Sequence, residues 1–283
     1  MAPSASSPSA PTPPALSPTS LRALTFDVFG TCVDWHTSIT ARLWAAIAAK
    51  KQASASSLGP PIPPASQARL AALTVQDVSL FAQQWHRSYS SFTRSFVPGS
   101  TPWKDVDAHH RDSLADLLEK QWGLRAVFDD EEIEGLSKVW HYLEPWGDSK
   151  DGVRRLNEAG FVTASLSNGN KILLEDLCGY AGLEFAELIS AEDFKAYKPN
   201  REAYLGACRM LGLEPRQVAM VAAHLEDLAA AREAGMRTVY VERPGEEEWK
   251  PDEERYVKAR EWVDLWVAEG DGGFLEVARQ LGV

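Results

Sequence analysis

The chain has 283 residues, 45% hydrophobic and 24% charged, with a formal net charge of −11. That composition is globular and long enough for one large or two ordinary domains; an acidic chain without a basic stripe argues against nucleic acid and anionic membrane surfaces. Three scattered cysteines, Cys32, Cys178 and Cys208, fit reduced thiols in a cytoplasmic protein and lack metal-ligand spacing, and no apolar run is long enough to span a bilayer.

Residues 1–20 are almost entirely Ser, Pro, Ala and Thr. With neither a basic start nor an apolar centre, they read as a disordered tail rather than a signal peptide. Ala23 to Phe26 then form a short apolar run leading into Asp27, and Gly30-Thr31 turn the chain. Such a run is a buried strand ending in a turn. It puts Asp27 at the carboxyl edge of a sheet, where open α/β folds bind ligands. Asp27 is either a reactive carboxylate or a strand-capping turn residue. Cys32, close by, reads as a small buried residue.

Residues 38–49 and 76–143 carry helical periodicity, interrupted by Lys50 to Ser66, which repeats the Ser/Pro/Ala composition of the tail and reads as an inserted flexible loop. Phe81, Trp85, Tyr89, Phe92 and Phe96 are spaced by four or three and form one aromatic stripe. Ile133, Leu136, Trp140 and Leu143 form another, with Asp129 to Glu132 acidic at its start, as the helix dipole prefers. Leu114, Leu117, Leu118 and Trp122 suggest a third. Amphipathic helices without strands predict a small helical bundle over 38–143.

After Pro145 strands and helices alternate. Helices are expected over 149–159, 170–181, 201–211, 225–234 and 274–281. Strands are expected over 161–166, 186–189, 217–222 and 237–241, with a further one over 262–267. Alternation of this kind predicts a parallel, Rossmann-like sheet with helices on both faces. The sheet domain, 21–37 and 144–283, includes the Asp27 strand, and the helical block is an insertion after it. Glu246 to Glu248 reads as a solvated acidic turn.

Three more segments end where they can meet Asp27: Leu166-Ser167-Asn168-Gly169, Tyr197-Lys198-Pro199, and Val221-Ala222-Ala223-His224-Leu225-Glu226-Asp227. Together with Ala23 to Thr31, these resemble the four motifs of the haloacid dehalogenase superfamily, in their usual order. The nearest likeness is to the type II L-2-haloacid dehalogenases. It spans residues 21 to about 242 and, more loosely, the remainder. The resemblance implies an α/β core with a helical cap, no cofactor, and hydrolysis of a short 2-haloalkanoic acid through an ester on Asp27. The partners expected are a small anionic substrate and, as an option left open, a second copy of the chain in a homodimer.

Chemistry separates the branches of that superfamily. Its phosphatases carry a second Asp two residues after the nucleophile, to protonate the leaving alkoxide; here that position is Phe29. Their magnesium site uses an Asp that falls at Ala223, and Mg²⁺ needs hard oxygen ligands. A halide leaves without protonation or metal. The resemblance assigns Thr31 to orienting Asp27, Lys198 to keeping it ionised, and Ser167 and Asn168 to the substrate carboxylate. Taken alone, Ser167 to Gly169 reads more readily as a helix N-cap, and Thr31 as a turn hydroxyl. Tyr204, six residues after Lys198, belongs to the dehalogenase branch's site.

The fourth motif departs from the better-known pattern, with Ala222-Ala223-His224 in place of Ser-Ser-Asn. In part of the subset with this variation, the His works with a Glu of the first cap helix to activate water; that Glu position is Ala41 here. Water activation therefore rests between His224 and Asp227, and His224 is otherwise a structural hydrogen-bonding residue. In the cap, the family Arg falls at His86, with Arg87 adjacent. Trp35, Trp103 and Trp140 fit an apolar wall around a small acid. Another small-acid hydrolase, or a non-catalytic interaction protein on the same fold, are the alternative functions.

Overall fold

The computed structural model describes residues 20–55 and 62–283. The tail expected over 1–20 lies outside these residues except for Ser20. The chain opens with β1 (Ala23–Phe26) and a two-residue strand β2 (Val33–Asp34). It then enters five helices: α1 (Trp35–Ala55), α2 (Pro64–Ala72), α3 (Val75–Ser95), α4 (Val106–Lys120) and α5 (Asp130–Ser137). It leaves them through β3 (Glu144–Pro145), antiparallel to β2, so the entry and exit of the helical block form a two-stranded stem. The remainder alternates: α6 (Ser149–Glu158), β4 (Val162–Ser167), α7 (Lys171–Ala181), β5 (Glu187–Ser190) and α8 (Arg201–Met210). There follow β6 (Val218–Ala222), α9 (Leu225–Glu233), β7 (Arg237–Val241), α10 (Glu254–Trp262), β8 (Leu265–Val267) and α11 (Phe274–Gln280).

The six long strands form one parallel sheet in the order β5-β4-β1-β6-β7-β8. β1 lies in the middle, and its residues are fully buried on both faces, the usual state of a parallel strand. Phe26 pairs with Ser165 on one side and Val221 on the other. The next residue, Asp27, still donates its N–H to Val221 O at 3.0 Å, so its side chain leaves the sheet where strand order runs away in both directions. That is the crevice in which open α/β sheets bind ligands.

The inserted loop is shorter than expected. α1 continues to Ala55 and α2 begins at Pro64, leaving 56–61 outside the described residues. Lys50 to Ala55 contains no Gly or Pro to stop a helix, and Pro64 takes the first helical position, where its missing N–H costs nothing. The strand expected over 262–267 is also trimmed, because Trp262 closes α10. The short helices α2 and α10 escaped the periodicity reading.

Local signals account for the other boundaries. Asp129 and Glu132 exchange side chain-to-backbone bonds at 2.8 and 2.9 Å as a capping box for α5. The aromatic stripe of α3 serves two surfaces. Phe81 and Trp85 are buried within the helical block, whereas Tyr89 packs on Phe29 at 6.2 Å, and Phe92 and Phe96 pack on Tyr197, each at 5.4 Å. The stripe thus seats the helical cap on the sheet, over the segments that follow β1 and β5.

Candidate active site

The loops that follow the strands, and two helices, α8 with Tyr204 and α9 with Asp227, deliver the side chains around Asp27. Lys198 Nζ donates to Asp27 Oδ1 at 2.9 Å and to Asp227 Oδ2 at 2.6 Å. The Thr31 hydroxyl donates to Asp27 Oδ2 at 2.7 Å and accepts the Ala223 N–H at 2.9 Å, which fixes the direction of its proton. His224 Nδ1 lies 3.1 Å from the same Asp27 oxygen. Tyr204 O–H donates to Asp227 Oδ1 at 2.5 Å. All are buried except His224, which is partly open to the cavity.

The electrostatics follow from this packing. Burial pushes the Asp27 carboxyl up, but the Lys198 ammonium and His224 outweigh it and hold Asp27 well below the usual carboxylate range. Burial likewise works against the Lys198 charge, and Asp227 and Asp27 overcome it, raising the ammonium. Asp227 is raised, because burial and the neighbouring Asp27 charge exceed what its share of Lys198 returns. Asp27 is therefore an ionised carboxylate whose two oxygens are both held by donors.

Each sequence-derived candidate has a definite place. Asp27, Phe29, His86, Asn168, Lys198, Tyr204, His224 and Asp227 line one cavity of about 140 Å³. Asn168 reaches it as a brace: its Oδ1 accepts the Lys198 N–H at 2.7 Å and its Nδ2 donates to the Lys198 carbonyl at 3.2 Å. It thereby fixes the segment around the cis Lys198–Pro199 bond.

Ser167 does not line the cavity. It is fully buried, and its hydroxyl accepts the Gly169 N–H at 3.2 Å within the turn; it does not cap α7, whose N-cap residue is Asn170.

Arg87 is exposed and also outside the cavity. One residue advances a helix by about 100°, so a position next to His86 faces away. Arg94 lies two turns after Arg87, on nearly the same side of α3, but in the last turn of the helix, where it lines the mouth and pairs with Glu226 and Glu248.

His86 is neutral, since burial lowers its imidazole to about 4. It stacks on Trp35 with centroids 4.2 Å apart. Trp35 and Trp140 back this roof without lining the cavity, and Trp103 stacks on Tyr197 instead, at 4.6 Å.

The acidic turn after β7 is the largest departure from expectation. Glu246 is buried, accepts Trp35 Nε1–H at 3.1 Å, and lies 3.2 Å from His224 Nε2. Glu247 accepts the Leu225 N–H at 2.7 Å at the start of α9. The signal available in the sequence was positional: a turn at the carboxyl end of a strand next to β6 opens on the same crevice. Among the described residues no cluster of His, Cys, Asp and Glu has the arrangement of a metal site, and no helix is long and apolar enough to cross a membrane.

Comparison with known proteins agrees with this architecture. A family model described as haloacid dehalogenase-like hydrolase matches residues 21–235. The chain is 28% identical over 230 residues to (S)-2-haloacid dehalogenase 4A of Burkholderia cepacia, covering 80% of this chain and 85% of that one. It is 31% identical over 117 residues to an (S)-2-haloacid dehalogenase of Pseudomonas putida, covering 41% and 52%. Among solved structures, L-2-haloacid dehalogenase PA0810 superposes with a TM-score of 0.69 at 32% identity, over 93% of this chain and all of that one. The defluorinating L-2-haloacid dehalogenase Rha0230 gives a TM-score of 0.74 at 29% identity, over 96% of this chain and 100% of its own.

Proposed function

The chain belongs to the haloacid dehalogenase-like hydrolases, and from that premise we propose that it hydrolyses a short (S)-2-haloalkanoic acid to the 2-hydroxy acid and halide. The relatives named (S)- and L-2-haloacid dehalogenases support the substrate class. The observation that carries the reading is the ionised Asp27 carboxylate, aimed into a cavity of about 140 Å³. Pockets for drug-sized ligands run from about 300 Å³ upward, so this one suits a molecule of a few heavy atoms.

In this reading an Asp27 oxygen attacks C2 from the side opposite the halide. The O–C2 bond forms as the carbon–halogen bond breaks, inverting the centre and leaving a neutral ester. Water then adds to the ester carbonyl carbon, the alkoxide departs and takes up the proton, and Asp27 is restored as a carboxylate. Lys198 and Thr31 hold the oxygens throughout. Phe29 and Ala223 offer neither a proton to a leaving alkoxide nor an oxygen ligand to Mg²⁺, which disfavours phosphate esters. Arg94 is the guanidinium at the cavity mouth and is the cation assigned to the substrate carboxylate.

The test is halide release from a panel of 2-chloro, 2-bromo and 2-fluoro acids of two to four carbons, with intact mass recorded in single turnover. Wild type should release halide and pass through an adduct mapping to Asp27. Asp27→Asn should fold and release none, since an amide is not a nucleophile. A folded wild type that releases no halide from any acid of the panel overturns the proposal.

A further inference from the structure

His224 sits between two carboxylates that approach it from different parts of the chain. Nδ1 faces Asp27 Oδ2 at 3.1 Å, and Nε2 faces Glu246 Oε2 at 3.2 Å. Each oxygen is already accepting a hydrogen bond whose direction is fixed. Thr31 O–H points at Asp27 Oδ2, because its own oxygen receives the Ala223 N–H. Trp35 Nε1–H, a donor only, points at Glu246 Oε2. With both oxygens acting as acceptors, both ring nitrogens donate, and the ring in the free enzyme is an imidazolium.

An imidazolium cannot take a proton from water. The geometry supplies the release. Ester formation on Asp27 removes the negative charge next to Nδ1 and leaves the one next to Nε2. We propose that esterification of Asp27 is what turns His224 into a base: the ring then gives its Nδ1 proton to solvent, while Glu246 keeps the proton on Nε2 and holds the ring in place. This rests on the aspartyl-ester reading above. Atoms balance over the cycle. The halide leaves with the electron pair of the carbon–halogen bond, and the Nδ1 proton leaves to solvent. Water then gives one proton back to Nδ1 and its hydroxyl to the ester carbon. Protein returns to its starting state, with hydroxy acid, halide and one proton released.

Glu246 is built into this position rather than resting there. Gly30, at φ +77°, lies so close that a Cβ there would stand 2.0 Å from Glu246 Oε2. The bare backbone of the turn after Asp27 is what admits the carboxylate. The other groups facing the ring agree with a switch governed by Asp27. His86, on α3, is neutral because burial lowers its imidazole to about 4. Glu247 is turned to the α9 backbone at 2.7 Å, and the Lys198 ammonium lies on the far oxygen of Asp27. The shift of His224 well above its ordinary value has the same origin: burial opposes its charge, and the bonds to Asp27 and Glu246 overcome that. Glu246 is thus a positioning residue from the β7 loop, where Ala41 leaves the first cap helix without a carboxylate.

The test has two arms on the full chain. In the first, histidine side chains labelled with ¹⁵N are titrated by NMR, with His224 assigned by its loss in His224→Gln. In wild type, His224 should remain doubly protonated well above the ordinary histidine midpoint. Asp27→Asn, an uncharged stand-in for the ester, should lower its midpoint by about one pH unit or more, and Glu246→Gln should lower it too. A wild-type midpoint near the ordinary value, or one unmoved in Asp27→Asn, overturns the proposal. In the second arm, single-turnover mass spectrometry with 2-chloropropionate follows the ester. Glu246→Gln should form it at close to the wild-type rate, hydrolyse it about tenfold or more slowly, and shift the pH profile of the hydrolysis step alone. Equal slowing of both steps assigns Glu246 a structural role only and overturns the proposal. The first arm needs no substrate, so absence of halide release overturns the substrate reading, and an unmoved His224 midpoint overturns this one.

Discussion

Lys198 is the residue on which the buried charges of the site balance. Its ammonium touches Asp27 and Asp227 at 2.9 and 2.6 Å and is 7% exposed. Removing one partner from a buried pair costs about 3–5 kcal/mol, because it strands a charge away from water. Lys198→Met strands Asp227 and leaves Asp27 to His224 and Thr31. In wild type Asp27 has a folded value below its unfolded one, so its contribution is present above about pH 4 and is lost as pH falls further. For Asp227 in the variant the sign is the opposite. Burial and the Asp27 charge then raise its carboxyl further, and protonation relieves both. Lys198→Met should be less stable than wild type by about 3–5 kcal/mol at pH 7, and urea denaturation should show the gap narrowing at pH 5. A gap that widens on acidification would mean that water already solvates these carboxylates.

At the scale of elements, α6 and α11 are held closer than side chains ordinarily allow. A Cβ on Gly152 would stand 2.2 Å from Phe274 Cβ and 2.8 Å from the Phe274 carbonyl carbon. The two helix starts are also tied by Asp148, whose carboxylate accepts two bonds from Arg243, at 2.6 and 2.8 Å, and the Phe274 N–H at 2.7 Å. Arg243 in turn donates to the Thr31 carbonyl at 3.0 Å, so this junction braces the turn that follows Asp27. Alanine favours a helix interior over glycine by about 1 kcal/mol, and overpacking costs about 1–3 kcal/mol. Since a backbone atom blocks the way, overpacking wins. Gly152→Ala should lower the melting temperature despite its better helix propensity, as differential scanning calorimetry would show; a rise would mean that α11 yields easily.

Across the whole molecule, the cap meets the sheet domain through His141. Its Nε2 bonds Asp107 of α4 at 3.0 Å and its Nδ1 bonds Asp176 of α7 at 2.8 Å. Asp107 also accepts Asn170 Nδ2 at 2.9 Å, just before α7. Burial disfavours the charged ring, but the bonds to Asp107 and Asp176 outweigh it and raise His141. A raised histidine contributes stability in full below its unfolded value, near 6.5, and loses it as pH rises through the folded value. Hydrogen bonds to charged groups are worth about 1.5–3 kcal/mol; Asp176 is 46% exposed, so screening places the effect at the lower end. His141→Gln should therefore lower the melting temperature more at pH 6 than at pH 9. An equal loss at both would assign His141 to packing alone.

What the sequence determined by itself was everything written in contiguous patterns. The apolar run ending at Asp27, the Lys198-Pro199 turn, and the strand ending before His224 and Asp227 each announce a strand edge with a particular chemical group on it. Alternating strands and helices make a parallel sheet, and a parallel sheet brings those edges together. Phase and approach were decided only by tertiary structure. Whether His86 or Arg87 faces the cavity depends on the rotation of α3 about its axis, which its seating on Phe29 and Tyr197 sets. Ser167 turned inward because its hydroxyl had a nearer partner in Gly169 N–H. Glu246 reads as one of three solvated acids, and nothing local distinguishes it. It becomes the partner of His224 because the β7 loop folds over Gly30, and a contact between residues more than two hundred positions apart leaves no periodic trace in the chain.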